Sequence, residues 1–170
     1  MGPALTVPYR CNFATDDQFA LWNVIDANND EYTWKRETTL AAAYYYYNED
    51  GETGGDDWLV SSPIHLEKNK IYRLKFKLQS YDVGYPEKVA VHLGTGASVA
   101  EQTTLLGDYE VESNTFVEYK VILPERLESG NYHISFHCHS EPYMFILYVT
   151  DVLLEEVSEG VLSGVVTLSL

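Results

Sequence analysis

Apolar and polar side chains alternate along short runs of this 170-residue chain, which is the pattern of β-strands that bury one face. The clearest example is the run 71–78. Its apolar members fall on one face and its basic members on the other: Tyr72, Leu74, Phe76 and Leu78 against Arg73, Lys75 and Lys77. The run therefore predicts a half-buried strand.

Similar runs, rich in β-branched and aromatic residues and separated by glycine-containing turns, follow one another along the chain. They predict ten strands, at residues 9–13, 22–26, 40–47, 58–61, 71–80, 88–94, 103–111, 116–123, 130–140 and 145–155. About ten short strands with turns between them indicate an all-β protein. We expect an antiparallel two-sheet β-sandwich of jelly-roll topology.

Two acidic segments, each containing a tryptophan, stand out among the predicted loops at 25–34 and 56–64. In the first, Asp26, Asn28 and Asp30 place oxygen-bearing side chains at every second residue, as at the start of a loop that binds a hard cation. Calcium is the natural candidate, with Asp56 or Asp57 of the second segment as further ligands. The alternative is that the first segment forms Asx turns, which need no ion.

Four consecutive tyrosines occupy residues 44–47, so a strand here directs one pair to each face. An exposed pair could bind the apolar face of a sugar ring, whereas the alternative is aromatic pairing across strands, which stabilises a sheet. Tyr45, Tyr47 and Trp34, the tryptophan of the first acidic segment, are the candidate ligand-binding residues.

Three histidines, His133, His137 and His139, share one face of a predicted strand. Alternate residues on a strand lie nearly 7 Å apart, so His133 is too remote to join the other two at one zinc ion. Polar side chains on a partly solvated face are the simpler interpretation.

The net charge of the chain disfavours some classes of binding partner. It has 26 Asp and Glu against 11 Lys and Arg, a formal net charge of -15, which disfavours nucleic acid and anionic membrane surfaces. No apolar run reaches the roughly 18 residues of a membrane span, so no membrane insertion is expected. The N-terminus lacks the basic and apolar regions of a signal peptide, so for an exported protein we expect the signal to have been removed or to lie upstream.

Cys11 and Cys138 are the only cysteines. They could form one bridge between terminal strands or remain two buried thiols, because spacing alone does not fix their geometry.

Several motifs occur in an order typical of one protein family. They are the segment 7–13, the segment 22–34 that contains the first acidic segment, the second acidic segment 56–64, the strand 66–74, Tyr-Pro-Glu at 85–87 with Leu-Gly-Thr at 93–95, and the closing strands 132–137 and 147–152. Over residues 7–157 the chain resembles the cleaved-adhesin, or choice-of-anchor J, domains, which include the haemagglutinin/adhesin modules of gingipain-type surface proteases.

This resemblance implies a MAM-like jelly-roll sandwich, structural calcium and adhesion rather than catalysis. Asp56, Asp57 and Asp151 are carried over as candidate calcium ligands. The chain departs from the family at two places: Ala14 stands where members usually have Glu, and Glu31 where they usually have Gly.

We expect residues 1–6 to be a linker, 7–157 the domain, and 158–170 a linker or the start of another β-module. The expected function is that of a non-catalytic extracellular module of a bacterial secreted or surface protein, which binds glycans or host surface or matrix proteins. The alternative is a spacer or accessory domain of a larger secreted protease or glycan-degrading enzyme. No motif selects the facing carboxylate pair that a glycosidase needs.

Overall fold

Twelve β-strands and two short helical turns make up the part of the chain that the computed structural model describes, residues 3–125 and 128–158. The strands are β1 (Tyr9–Cys11), β2 (Asn23–Asp26), β3 (Trp34–Glu37), β4 (Ala42–Tyr46), β5 (Asp57–Val60), β6 (Ile64–Leu66), β7 (Ile71–Ser80), β8 (Glu87–Gly94), β9 (Thr104–Val111), β10 (Val117–Ile122), β11 (Gly130–Cys138) and β12 (Ile146–Val157). Helix α1 (Asp16–Ala20) follows β1, and a single 3₁₀ turn (Val99–Glu101) precedes β9.

The strands form two six-stranded sheets. Sheet I has the order β10-β7-β12-β4-β3, with β1 also paired to β12. Sheet II has the order β2-β5-β11-β8-β9, with β6 also paired to β11. Neighbouring strands are antiparallel within both sheets, which confirms the predicted all-β sandwich.

The alternation in β7 has the predicted consequence. Its apolar face lies in the core between the sheets, where none of the four side chains is more than 2% exposed: Tyr72, Leu74, Phe76 and Leu78. The three basic side chains lie on the other face and are half-buried. The alternation therefore identifies the orientation of this strand correctly.

Two strands and the helix are not predicted from the alternation. Strand β3 carries three charged residues in four, and pairing with β4 makes it a strand. Strand β6 is only three residues long and depends on its pairing with β11. Helix α1 is a single capped turn, in which Thr15 accepts a hydrogen bond from the Gln18 N–H. Each depends on contacts that a short sequence window does not reveal.

The two cysteines are free thiols, both buried, with Cys11 in sheet I and Cys138 in sheet II. Leu5, within the predicted linker 1–6, forms a parallel bridge with Ile64, so it contacts the sandwich through its backbone. Residues 159–170 of the predicted C-terminal segment lie outside the described residues. Within the described ranges, no helix has the length and apolar character needed to cross a bilayer.

A buried carboxylate, that of Glu87, fixes the loop 140–145. Glu87 is fully buried and accepts hydrogen bonds from Ser140 Oγ at 2.5 Å and from the Phe145 N–H at 2.7 Å. Burial outweighs these bonds and raises the pKa of Glu87 to about 7. The loop is thus held by a group that loses its charge near neutral pH.

The Glu87→Gln variant should flatten part of the pH dependence of stability. A carboxyl whose pKa is raised by folding stabilises the protein fully below its unfolded pKa of 4.5, and this contribution is lost as the pH rises through about 7. Glutamine mimics the protonated group, so the variant should match the native protein to within about 1 kcal/mol near pH 5. At pH 8 it should be more stable by up to about 3 kcal/mol.

Urea unfolding between pH 5 and pH 8 in EDTA measures this difference. The exposed Glu110→Gln variant is the control and should show no such change. A stability difference between Glu87→Gln and the native protein that stays constant with pH would contradict the prediction.

Tyr45→Phe should raise the free energy of unfolding by about 1 kcal/mol, because the buried Tyr45 hydroxyl has no hydrogen-bond partner in the described part of the chain. Tyr72→Phe is the matched variant, for which we expect the opposite effect on the free energy of unfolding. The Tyr72 hydroxyl accepts the Glu67 N–H at 2.9 Å, so its removal should cost about 1 kcal/mol. Equal effects of the two substitutions in urea unfolding would show that the hydroxyl environments do not matter.

Candidate binding face and metal centre

The outer face of sheet I carries exposed aromatic side chains at one end. Tyr46 pairs with Ile146 in the β4–β12 register, and the Tyr81 N–H donates to the Ile146 carbonyl oxygen at 3.0 Å. These three residues therefore form one row across the sheet. Tyr81 is 49% exposed and Tyr46 is half-buried, so both rings are accessible to a ligand.

Phe145 packs among the tyrosines at this end. Its ring centroid lies 4.3 Å from that of Tyr81, 5.4 Å from Tyr46 and 5.5 Å from Tyr47. Tyr85, 41% exposed, lies 5.9 Å away. We call these five residues the aromatic end. The hydrogen bond from the Phe145 N–H to Glu87 anchors the ring on which the other four pack.

The next row of the same face contains Gln79, Tyr148, Tyr44 and Lys35, which are paired across β7, β12, β4 and β3. Tyr44 packs against Tyr148 with ring centroids 6.5 Å apart. Beside this row is a pocket of about 200 Å³. Its lining residues are Glu31, Tyr32, Thr33, Lys35, Tyr44 and Tyr46. Loop 27–33 therefore forms one wall of a pocket whose other wall is strand β4.

That same loop belongs to an acidic centre. One carboxylate oxygen each from Asp26, Asp30 and Asp57 lies within 4.8 Å of the others. Asp26 ends β2 and Asp57 begins β5, and these two residues are directly paired in sheet II. The two acidic segments of the sequence therefore meet, although 26 residues lie between Asp30 and Asp57 along the chain.

Hydrogen bonds shape the loop around the centre. Asp26 accepts the N–H groups of Asp30 and Glu31 at 3.3 and 2.8 Å, and Asp30 accepts that of Tyr32 at 3.0 Å. Glu31 adopts a φ of 70°, a left-handed conformation that costs a residue with a Cβ about 1 kcal/mol.

Two oxygens near the centre lack a protein donor. Asp57 Oδ1 and Asn28 Oδ1 are buried and accept no hydrogen bond from the described residues. Asp57 is fully buried, and burial together with the charges of Asp26 and Asp30 raises its pKa to about 8. Crowded carboxylates with unused oxygens form the type of donor set that Ca²⁺ prefers.

Not every predicted calcium ligand lies at this centre. The Asp56 carboxylate lies 2.8 Å from His137 Nε2, and the Asp151 carboxylate pairs with Lys77 at 2.9 Å on the outer face of sheet I. Asn28 borders the centre, because its Nδ2 lies 3.4 Å from Asp30 Oδ2. The structure thus groups Asp26, Asn28, Asp30 and Asp57 and separates them from Asp56 and Asp151.

The predicted ligand-binding residues need correction. Trp34 and Tyr45 are 2% and 1% exposed and pack on each other in the core with ring centroids 6.4 Å apart, so neither can contact an external ligand. Tyr47 is half-buried at the aromatic end. Tyr44 and Tyr46 are the members of the tyrosine run on the outer face, because the opposite face of β4 packs on the core.

The three histidines in and directly after β11 have separate partners. His133 Nδ1 lies 2.6 Å from the Ser61 carbonyl oxygen, and His139 Nε2 lies 2.7 Å from Asp108. His137 stacks on Trp58 with ring centroids 4.1 Å apart. The acidic centre is the one metal-compatible cluster within the described residues, and it contains no histidine.

The outer face of sheet I also has a basic end, which was not predicted from the sequence. It is a depression of about 430 Å³ beyond Lys77 on β7. The sequence shows that Lys75 and Lys77 share a face, but not that β12 and β1 bring Arg10 next to them.

No model of a known protein family matches the sequence, and no curated protein matches it. The fold, however, is similar to those of several solved domains. The K1 cleaved adhesin domain of Lys-gingipain from Porphyromonas gingivalis W83 superposes with a TM-score of 0.72 at 20% identity, over 89% of this chain and 99% of that one. The K3 domain of the same protein gives 0.68 at 19% identity, over 86% and 96%.

A further neighbour is the Clostridium thermocellum xylanase 10B fragment with its CBM22-1 and GH10 modules, solved with xylohexaose. It gives a TM-score of 0.58 at 13% identity, over 88% of this chain and 28% of that one. These likenesses confirm at the level of the fold the resemblance drawn from the motifs: the chain has the β-sandwich fold of the gingipain cleaved adhesin domains, which carbohydrate-binding modules share.

Proposed function

We propose that this domain is a non-catalytic, extracellular module that binds glycans on the outer face of sheet I. The observation that carries the proposal is the aromatic end beside the 200 Å³ pocket, where exposed tyrosine rings adjoin polar side chains. A pyranose ring presents an apolar C–H face, which packs on an aromatic ring, and hydroxyl groups, which need hydrogen-bond partners. Lys35 and Glu31 line the same pocket and could supply such partners.

The solved neighbours support a binding role. They are adhesin domains and carbohydrate-binding modules, and one of them was solved with xylohexaose. Adhesion to host proteins is the competing form of the same proposal. The pocket favours a glycan, because a cleft of this size beside half-buried rings suits a sugar unit better than a broad protein surface.

We further propose that Ca²⁺ binds at the acidic centre and stiffens the pocket wall. Asp26, Asp30 and Asp57 would supply carboxylate oxygens and Asn28 its amide oxygen. The cation would relieve the repulsion among the carboxylates and the desolvation of Asp57. Because the loop continues from Asp30 into Glu31, Tyr32 and Thr33 of the pocket, holding the loop would preserve the pocket shape.

Removal of the aromatic side chains should weaken glycan binding. We expect Tyr44→Ala and Tyr46→Ala each to lower affinity about tenfold or more, as expected for a tyrosine that anchors a ligand. The measurement is affinity electrophoresis against a panel of neutral and acidic polysaccharides, followed by calorimetry with defined oligosaccharides that include xylohexaose.

Two controls accompany these variants. Tyr46→Phe keeps the ring and loses only the hydroxyl bond to Glu49, so it should retain most of the affinity. Leu105→Ala removes an exposed apolar side chain from sheet II and should have no effect. If no polysaccharide of the panel binds, the glycan-binding role is rejected and the spacer role remains. If Leu105→Ala loses as much affinity as the tyrosine variants, the assignment of the binding face to sheet I is rejected.

Calcium should raise the melting temperature of the native protein. With free Ca²⁺ at about 100 times its dissociation constant, the added stability is about 2.7 kcal/mol, which corresponds to about 5–10 °C for a chain of this length. Asp57→Asn should abolish this response. It should also stabilise the protein in EDTA, because it removes a carboxylate whose charged form is made unfavourable by burial.

Asp56→Asn is the matched control, since it changes the neighbouring residue, whose carboxylate contacts His137 instead of the centre. We expect the control to keep the calcium response. Calorimetric melting curves with calcium and with EDTA test both variants, and a native melting temperature that is the same in both solutions would reject the calcium site.

A further inference from the structure

The basic end of the outer face of sheet I is a second concave region on the same surface as the aromatic end. Strand β12 contains one extra residue between Thr150 and Leu153 relative to β7, a β-bulge at which Asp151 has a φ of 49°. The depression of about 430 Å³ lies at this bulge. Its lining residues are Arg10, Cys11, Asn12, Gln18, Lys75, Lys77, Glu118, Asp151, Val152 and Leu153.

The lining of this depression has an excess of one positive charge, because three of its side chains are basic and two, Glu118 and Asp151, are acidic. Arg10, Lys75 and Lys77 are three of the 11 basic residues in a chain of net charge -15. Lys77 pairs with Asp151 at 2.9 Å, but the Lys75–Glu118 pair is long, at 3.9 Å. Arg10 is exposed and has no carboxylate within ion-pair distance in the described ranges. Two of the three cations can therefore accept a further anion.

Two side-chain amides add hydrogen-bond donors. Asn12 Oδ1 and Gln18 Oε1 both accept the Ala14 N–H, at 3.1 and 2.7 Å. A backbone N–H can only donate, so these bonds assign the oxygens and leave the two NH₂ groups as donors. Arg36 holds this segment in place through Asp16 at 2.7 Å and the Ala14 carbonyl oxygen at 3.3 Å. The donors are therefore fixed before a ligand arrives.

The aromatic and basic ends belong to one continuous surface. Tyr81, Gln79, Lys77 and Lys75 follow one another on the outer side of β7. Six residue steps along the chain lead from the first to the last, a distance of about 20 Å. A chain of sugar units on the aromatic end could therefore reach the depression without leaving the sheet.

From these observations we infer that the depression binds an anionic sugar unit, one that carries a carboxylate or a sulfate, so that the ligand of this face is an acidic glycan. The ammonium, guanidinium and amide groups would bind the anionic oxygens, and Glu118 and Asp151 could accept hydroxyl protons of the same sugar. The inference rests on the proposed glycan-binding function. The net negative charge of the protein repels anions at long range, so the preference must come from these local contacts.

Calorimetry with a homogalacturonan hexasaccharide and its fully methyl-esterified form tests the inference, because esterification removes the charge of each carboxylate and adds only one methyl group to it. We expect the acidic form to bind about tenfold more tightly or better. The double variant Arg10→Gln with Lys75→Gln should bring the affinity ratio of the two forms close to one. A κ-carrageenan hexasaccharide supplies sulfate in place of carboxylate and distinguishes the two kinds of anion.

Lys120→Gln is the matched control, because Lys120 lies 4.0 Å from the same Glu118 but does not line the depression. It should leave the affinity ratio as in the native protein. Melting curves of each variant establish that the fold is retained.

The outcomes separate this inference from the proposed function. If the neutral ester binds and the double variant leaves the affinity ratio unchanged, or if neither anionic hexasaccharide is preferred, the inference is wrong and the glycan-binding function stands. If no hexasaccharide binds and the polysaccharide panel is also blank, the proposed function fails and the inference fails with it.

Discussion

The antiparallel pairing of β7 with β12 is the constraint on which the rest of this structure depends. Strand β12 pairs with β7 along nearly its whole length, while its other edge is shared by β4 and β1. This arrangement aligns the tyrosines of β4 with Tyr81 at one end and Arg10 with Lys75 at the other. The bulge at Asp151 lies between the two partners on that shared edge. One strand thus determines both ends of the outer face of sheet I.

The domain contains buried carboxylates at two places, each of which supports the outer face of sheet I. Glu87 anchors Phe145, and Asp57 belongs to the acidic centre beside the loop that lines the pocket. Burial raises the pKa of both groups, to about 7 and about 8, so in each case the folded state carries a free-energy cost when the group ionises. Such costs are typical of groups retained for the geometry of a site.

The sequence predicted the class of fold and much of the acidic centre. Alternation in β7 identified its buried face, because neighbouring side chains on a strand point to opposite sides whatever the rest of the fold does. The regular spacing of Asp26, Asn28 and Asp30 marked an oxygen-rich loop for the same local reason. Strands β3 and β6 escaped prediction because they are short and are stabilised by their partners β4 and β11.

The tyrosine run at residues 44–47 is a case that the local sequence pattern could not decide. The sequence established that Tyr45 and Tyr47 point to one face of the strand and Tyr44 and Tyr46 to the other. The alternation does not say which of the two pairs faces the core. Pairing with β3 and β12 and packing against sheet II bury Tyr45 and leave Tyr46 outside. By itself, then, the sequence determined most of the strands, the alternation of their faces and the acidic loops. Tertiary structure alone decided which face of the tyrosine strand is buried and which distant residues meet, because strand register depends on contacts between segments far apart in the chain.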